Sequence, residues 1–421
     1  MIQTHILPNG LVIMMERLPY LRSVAIGLFV KAGSIMEEAD QNGLSHFIEH
    51  MAFKGTSQKN ARQIAMEIDL IGGNVNASTS KTATVYYAHT TDKDLKKALD
   101  LLSDMLVNPQ ATEEDFERER QVILEEIDME TDSPEDLVFN LLHEKLYPGQ
   151  TLSRTILGSK EAVSSYTLAN LKTFRQAYYI PGNTVLSVAG HFKPEQLIAW
   201  AEEAFLGWLG EGRKLAPAQI MLTGPAVFTK DKDIEQAHLC INYPGFHGLH
   251  EDRHALAAFS AAFGGGVSSR LFQKVREEHG LVYNIYSGPS FYPDNGEFTI
   301  YAACSPGKAN RVLGLIQQEV AAVVRDGISR QEFEKTMAQI KTGFVLGMES
   351  AYQRMASMGI NQLLHERIIA PRELLAMLRK IKRSDINRVA RQVLSSEPVL
   401  AAVGKKIGQY LNKGGGGDGQ A

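Results

Sequence analysis

The chain runs through the same order of elements twice. Arg22-Ser23-Val24-Ala25-Ile26-Gly27-Leu28-Phe29-Val30 is apolar at odd and even positions alike, the pattern of a strand covered on both faces. A polar loop, Glu37 to Gly43, and a helix from about Leu44 follow it. After Gly210-Glu211-Gly212-Arg213-Lys214-Leu215-Ala216-Pro217 the order restarts: Ala237–Tyr243 is a matching strand, Asp252–Phe263 a matching helix, and Gly296–Ala303 a strand like the Thr79–Ala88 region. The second half is a degenerate copy of the first, offset by about 210 residues. This predicts an α+β chain of two homologous domains, 1–210 and 224–412, with a linker at 211–223 and a flexible glycine-rich tail at 413–421.

The copies differ at the helix. The second has Ala257-Ala258-Phe259-Ser260-Ala261 where the first has His46-Phe47-Ile48-Glu49-His50. On a helix, residues four apart share a face, so His46 and His50 both present an imidazole to one point. Two nitrogens so placed can bind one zinc at about 2.0–2.1 Å each. Glu49 lies on nearly the same face, where its carboxylate can take a proton from a metal-activated water. A catalytic zinc takes three protein ligands and keeps one open position. The third ligand is sought in Glu117-Arg118-Glu119-Arg120-Gln121-Val122-Ile123-Leu124-Glu125-Glu126, where Glu119 and Glu126 stand two helical turns apart on one face. Glu126 falls 76 residues after His50.

That inverted H-x-x-E-H pattern, followed at this distance by a glutamate, resembles the M16 (pitrilysin/insulinase) zinc peptidases. The likeness runs over roughly residues 3 to 405. It is strongest to the short bacterial members and to the catalytic subunit of the mitochondrial processing peptidase. The resemblance implies a clamshell of two M16-type domains around a chamber, each a mostly antiparallel sheet packed with helices. It implies one zinc per chain, held by His46, His50 and Glu126, with Glu49 as general base and Glu119 behind the ligands. Asn76 and Ala77 match a sheet edge that binds peptide as an added strand, for which an open edge has the free N–H and C=O groups. Thr82 stands where the family usually has glutamate. Phe53, three residues after His50 and read as sharing its helix face, matches a residue lining the pocket just after the scissile bond. Arg276 and Tyr283, in Arg276-Glu277-Glu278-His279-Gly280-Leu281-Val282-Tyr283, match an R-x6-Y pair that completes the site from the second half. A phenol can donate to a developing oxyanion and a guanidinium can hold a carbonyl in fixed geometry. Asp136 matches one of two acidic positions that receive an arginine before the cut; Asn140 replaces the other.

The implied activity is zinc-dependent endoproteolysis of short or unfolded peptides by a cytoplasmic homodimer. The alternative is a scaffold or peptide-binding subunit that keeps the fold without the chemistry. Such chains usually lose part of the zinc set, which this one keeps. Two-His-one-Glu ligation also admits manganese or cobalt, with zinc favoured by ligand type.

Composition narrows the field. A net charge of −4 over 421 residues carries no nucleic-acid footprint. Cys240 and Cys304, the only cysteines, form no C-x-x-C pair and read as reduced, buried small hydrophobes. No apolar run reaches the roughly 18 residues of a membrane span, and no secretory signal precedes the hairpin centred on Asn9-Gly10. Gly264-Gly265-Gly266 follows a helix and lacks the Gly-Lys-Ser/Thr ending of a phosphate loop, so it reads as a close-packing turn.

Overall fold

The structure, a computed structural model, describes residues 2–210 and 223–412. Most of the expected linker and all of the expected tail lie outside them. The described chain forms two compact units.

The first unit is organised by β3 (Ser23–Val30), whose two apolar faces each meet a different partner. Val24, Ile26, Leu28 and Val30 enter one core; Ala25 and Phe29 enter another on the opposite face. Around β3 lie β1 (Ile2–Ile6), β2 (Val12–Arg17), β4 (Asn74–Thr79), β5 (Thr84–Thr91) and β6 (Thr184–Gly190), in the order β1-β2-β6-β3-β5-β4. Every pairing is antiparallel except β2 with β6. The larger core joins the sheet to helices α1 (Leu44–Met51), α2 (Ala61–Ile71), α3 (Leu95–Val107) and α4 (Glu113–Asp132). Leu95, Leu99, Leu102 and Leu106, spaced three and four apart and so on one face of α3, are all buried. The opposite face of the sheet carries the helix Ala351–His365, through Met355, Met358 and Leu363. It packs closely because two glycines face it and belong to it: a Cβ on Gly27 would lie 2.7 Å from Met355 Sδ, and one on Gly359 would lie 2.2 Å from the Phe29 ring.

The Thr79–Ala88 region, strand-like in its sequence, spans the turn of a hairpin formed by β4 and β5. Ser80 breaks it. Its hydroxyl donates to the Ala83 carbonyl and accepts from the N–H groups of Thr82 and Ala83, offering the backbone a turn in place of a ladder. As a result β4 is an edge strand, paired within the sheet with β5 alone.

The second unit has β7 (Ala226–Asp231), β8 (Ala237–Pro244), β9 (Val282–Phe291), β10 (Gly296–Cys304) and β11 (Val399–Gly404), in the order β7-β11-β8-β10-β9. Only β7 and β11 run parallel. Strand for strand this repeats β2-β6-β3-β5-β4 of the first unit, so the internal copy extends to pairing sense as well as order. Both cysteines are free and buried here.

The compact units do not follow a single cut in the chain. Residues 129–153, with the helix Pro134–Leu146, pack in the second unit, whereas Phe344–Leu374 pack in the first. Each unit is thus assembled from separate stretches of the chain, where the sequence predicts two continuous domains, 1–210 and 224–412. In the second unit the helix Pro134–Leu146 packs on β8 and β11, with Leu137, Val138, Leu141 and Leu142 buried, and a polar cluster gathers at Glu297. Glu297 is 1% exposed; it accepts from Tyr147 Oη at 2.6 Å and from Asn242 Nδ2 at 3.3 Å, with His143 Nε2 at 3.3 Å.

Candidate metal centre

α1 is only eight residues long, and its position is fixed at its N-terminus. Gly43 takes φ 101°, where a side chain is strained, and a Cβ there would lie 2.5 Å from the Leu157 carbonyl oxygen. The free N–H groups of the first turn are satisfied by Glu37, whose carboxylate accepts from Gly43 N at 2.7 Å, Ser45 N at 2.8 Å and Asn42 Nδ2 at 3.1 Å. Glu37 is buried, and burial raises its pKa against the lowering effect of these bonds. In the sequence it is part of a polar loop, with nothing to mark it as a cap.

With α1 so held, His46 and His50 stack tilted with ring centroids 4.6 Å apart. Glu126, on α4, points one oxygen at both: Oε2 is 3.6 Å from His46 Nε2 and 3.5 Å from His50 Nε2. These three residues are the one group of metal-ligating type found among the described residues, with ligand atoms within 4.8 Å of one another. The separations suit a shared ion. Bonds of about 2.0–2.1 Å in tetrahedral geometry put ligand atoms about 3.3–3.4 Å apart. They exceed ordinary N–H···O lengths, so mutual hydrogen bonding does not account for the convergence. His46 also suits the task, since burial, and secondarily the neighbouring His50, pushes its pKa down to about 3. It is therefore neutral near pH 7, with a lone pair available. The donor set fits zinc.

Glu119 comes up one oxygen at a time behind His50. Oε2 lies 3.2 Å from His50 Nδ1, and Oε1 takes a 2.6 Å ion pair from Lys54 Nζ. Glu49 accepts a 2.5 Å hydrogen bond from Thr79 Oγ1, at the end of β4. Burial raises the Glu49 pKa, partly offset by the Thr79 bond and by His50. Lys54 and Thr79 were not singled out in the sequence. A lysine four residues after His50 reads as a solvated charge, and Thr79 reaches Glu49 only through the hairpin.

The remaining predicted residues divide between the units. In the first, Ala77 is buried on β4 and Asn76 is exposed beside it. Phe53 is half-buried against the larger core, but it is not on the helix face expected of it. α1 ends at Met51, and Ala52–Lys54 form tight turns, with Phe53 N bonded to His50 O at 3.2 Å. Those turns are what carry Lys54 to Glu119. In the second unit, Arg276 lies in a π-helical segment, Phe272–Glu278, with its guanidinium 5.2 Å from the Tyr283 ring centroid. Tyr283 is 76% exposed. Asp136 is exposed on the first turn of its helix, and Asn140 is taken up by a 2.9 Å bond to Glu130.

A family model described as insulinase, peptidase family M16, matches residues 12–160, and one described as the peptidase M16 inactive domain matches residues 165–340. An uncharacterized zinc protease of Bacillus subtilis, YmxG, is 37% identical over 403 residues, covering 96% of this chain and 98% of that protein. The chain belongs to the M16 peptidase family. An uncharacterized zinc protease of Mycobacterium leprae is 36% identical over 94% of this chain and 90% of its own. A crystal structure of a protease from Helicobacter pylori shares the fold, with a TM-score of 0.91 at 23% identity over 96% of this chain and 99% of that one. A Pseudomonas fluorescens structure described as a peptidase M16 inactive domain has a TM-score of 0.89 at 19% identity, over 96% and 98%. The M16 fold is α+β in both halves, as expected. No helix among the described residues is long and apolar enough to cross a membrane.

Proposed function

We propose that this M16 chain is a zinc-dependent endopeptidase acting on short or unfolded peptides laid along the edge of β4. The observation that carries the reading is the meeting of His46 Nε2, His50 Nε2 and Glu126 Oε2 on one small volume, with the Glu49 carboxylate held beside it by Thr79. Relatives named as zinc proteases add support. One zinc per chain in this site would polarise the amide carbonyl and make water nucleophilic near neutral pH.

The protein's own groups supply the rest. Glu49 takes the proton of the attacking water and returns it to the leaving amine; a proton affinity raised by burial brings it nearer the working pH for both transfers. Thr79 fixes which oxygen of Glu49 is free to do so. Glu119 accepts from Nδ1–H of His50 and thereby keeps the Nε2 lone pair turned toward Glu126. The open edge of β4 at Asn76 and Ala77 takes the added strand, the Ala77 N–H exchanging its 2.8 Å bond to Asn76 Oδ1 for one to the peptide. On chemical grounds Tyr283 donates to a developing oxyanion and Arg276 holds a backbone carbonyl. Phe53 lines the pocket after the cut, and Asp136 attracts a basic residue before it. The working form is a homodimer in a reducing cytoplasm.

The test is hydrolysis of a mixed library of unstructured peptides by wild type and Glu49→Gln, each with its metal quantified. The expected result is one zinc in each protein and turnover lost by at least about a thousandfold in the variant. Zinc in both and cutting by neither would move the chain to the scaffold class. Near-normal turnover by Glu49→Gln would remove Glu49 as the base.

A further inference from the structure

An edge strand presents two sets of side chains, and β4 divides them cleanly. Ala77 enters the larger core, and Thr79 reaches Glu49. Ser78, between them, points to the opposite face of the sheet. Its partner there is Val85, and Asn76 pairs with Tyr87. A peptide added to β4 obeys the same alternation, because residues directly opposite one another on paired strands share a face. If one of its residues faces the side of Glu49, its neighbours face the other side.

That other side is not flat. Over β5 and β3 on that face lies a cavity of about 300 Å³, lined by Phe29, Val85, Tyr87, Tyr352, Met355 and Ala356, which β4 borders through Ser78. Its walls are set by packing already described. Phe29 and Met355 are buried to 3% and 0% exposure, and the glycine contacts at Gly27 and Gly359 seat the helix Ala351–His365 firmly on β3. Tyr87 and Tyr352 face each other at 5.0 Å between ring centroids and form an aromatic wall that is only half-buried. The cavity is mostly apolar, and no charged side chain lines it.

We infer that this cavity is a specificity pocket for one bulky apolar or aromatic side chain of the substrate, at a position facing away from Glu49. The inference rests on the reading of β4 as the peptide-binding edge. It names the substrate class more closely: peptides with a large apolar residue at one position of fixed parity relative to the residues that face the metal. Its volume admits one such side chain and not a folded segment.

Wild type and Ala356→Phe, which fills the cavity from the helix, are given the same peptide library, and residue frequencies are read at each position around the cuts. Wild type is expected to enrich Leu, Met, Phe or Tyr at one position, with small residues tolerated there less well. In Ala356→Phe the ratio of bulky to small at that position falls about tenfold, as for a hydrophobic pocket that loses room for a few carbons. Tyr352→Ala, which removes one wall without adding bulk, should also blunt the preference and guards against a variant that does not fold; melting curves accompany both. The same comparison is run in a Glu49→Gln background by recovering captured peptides and sequencing them by mass.

If wild type cuts with the same residue profile as both variants, the pocket is refuted while the peptidase reading stands. If wild type cuts nothing, yet Glu49→Gln captures bulky-residue peptides that Ala356→Phe loses, the pocket stands and the peptidase reading falls. A chain that neither cuts nor captures overturns both.

Discussion

Lys54→Met isolates the group behind the metal site. Glu119 is a carboxylate with only 6% of its side chain exposed, and its two described partners are Lys54 at 2.6 Å and His50 Nδ1 at 3.2 Å. Methionine keeps most of the lysine stem's length but leaves Oε1 without its cation. Breaking a buried ion pair by removing one member costs about 3–5 kcal/mol. Lys54 is 31% exposed, so solvent screens part of the interaction and the expected loss is nearer 2 kcal/mol. The same change loosens the carboxylate that orients His50, and outer contacts of this kind carry about tenfold or more in metal affinity.

Denaturant unfolding of the metal-free protein reads the first effect; zinc competition against a chelating dye reads the second. The cycle with Glu119→Gln separates a specific pair from a general loss of packing. In the double variant no charge is left unpaired, so it should be more stable than Lys54→Met alone, with a coupling of about 1–2 kcal/mol. Lys54→Arg should recover much of both properties. If Lys54→Met unfolds within about 0.5 kcal/mol of wild type, binds zinc as tightly, and shows no coupling to Glu119→Gln, the argument from the buried carboxylate is wrong.

Three further outcomes follow from the same geometry. His46 takes its proton near pH 3 in the native state but near 6.5 when unfolded, so its contribution is intact above 6.5 and is lost as pH falls toward 3. Metal-free protein should lose about 2 kcal/mol between pH 7.5 and 5 from this group, and His46→Gln should show a shallower acid slope; identical slopes would remove the effect. Gly43→Ala meets both a left-handed φ and the Leu157 carbonyl, so it should cost about 1–3 kcal/mol and weaken zinc binding, read by melting and by metal competition. Thr79→Val removes the donor to Glu49 and should lower kcat about tenfold with KM and zinc content little changed; unaltered kcat would deny Thr79 a positioning role.

What could be read from the sequence was what depends on neighbours within a turn or two of helix or a few residues of strand. The four-residue spacing of His46 and His50 and the seven-residue spacing of Glu119 and Glu126 are helical geometry; His46, His50 and Glu126 converge on one volume, and Glu119 lies behind His50 on its other ring nitrogen. The doubly apolar β3 and β8 and the repeat of order came from hydrophobic pattern alone. Ser80 was visible as a small polar residue, but its choice of a turn over a ladder depends on β5 having β3 to pair with. Only the tertiary structure decided the rest. An amphipathic helix states that one face is buried and not what buries it, so the helices Pro134–Leu146 and Ala351–His365 could not be assigned to a sheet beforehand. Glu37 on the start of α1, Lys54 on Glu119 and Thr79 on Glu49 are likewise charges and hydroxyls whose partners lie 8, 65 and 30 residues away. Nothing local distinguishes them from solvated side chains until the fold closes around them.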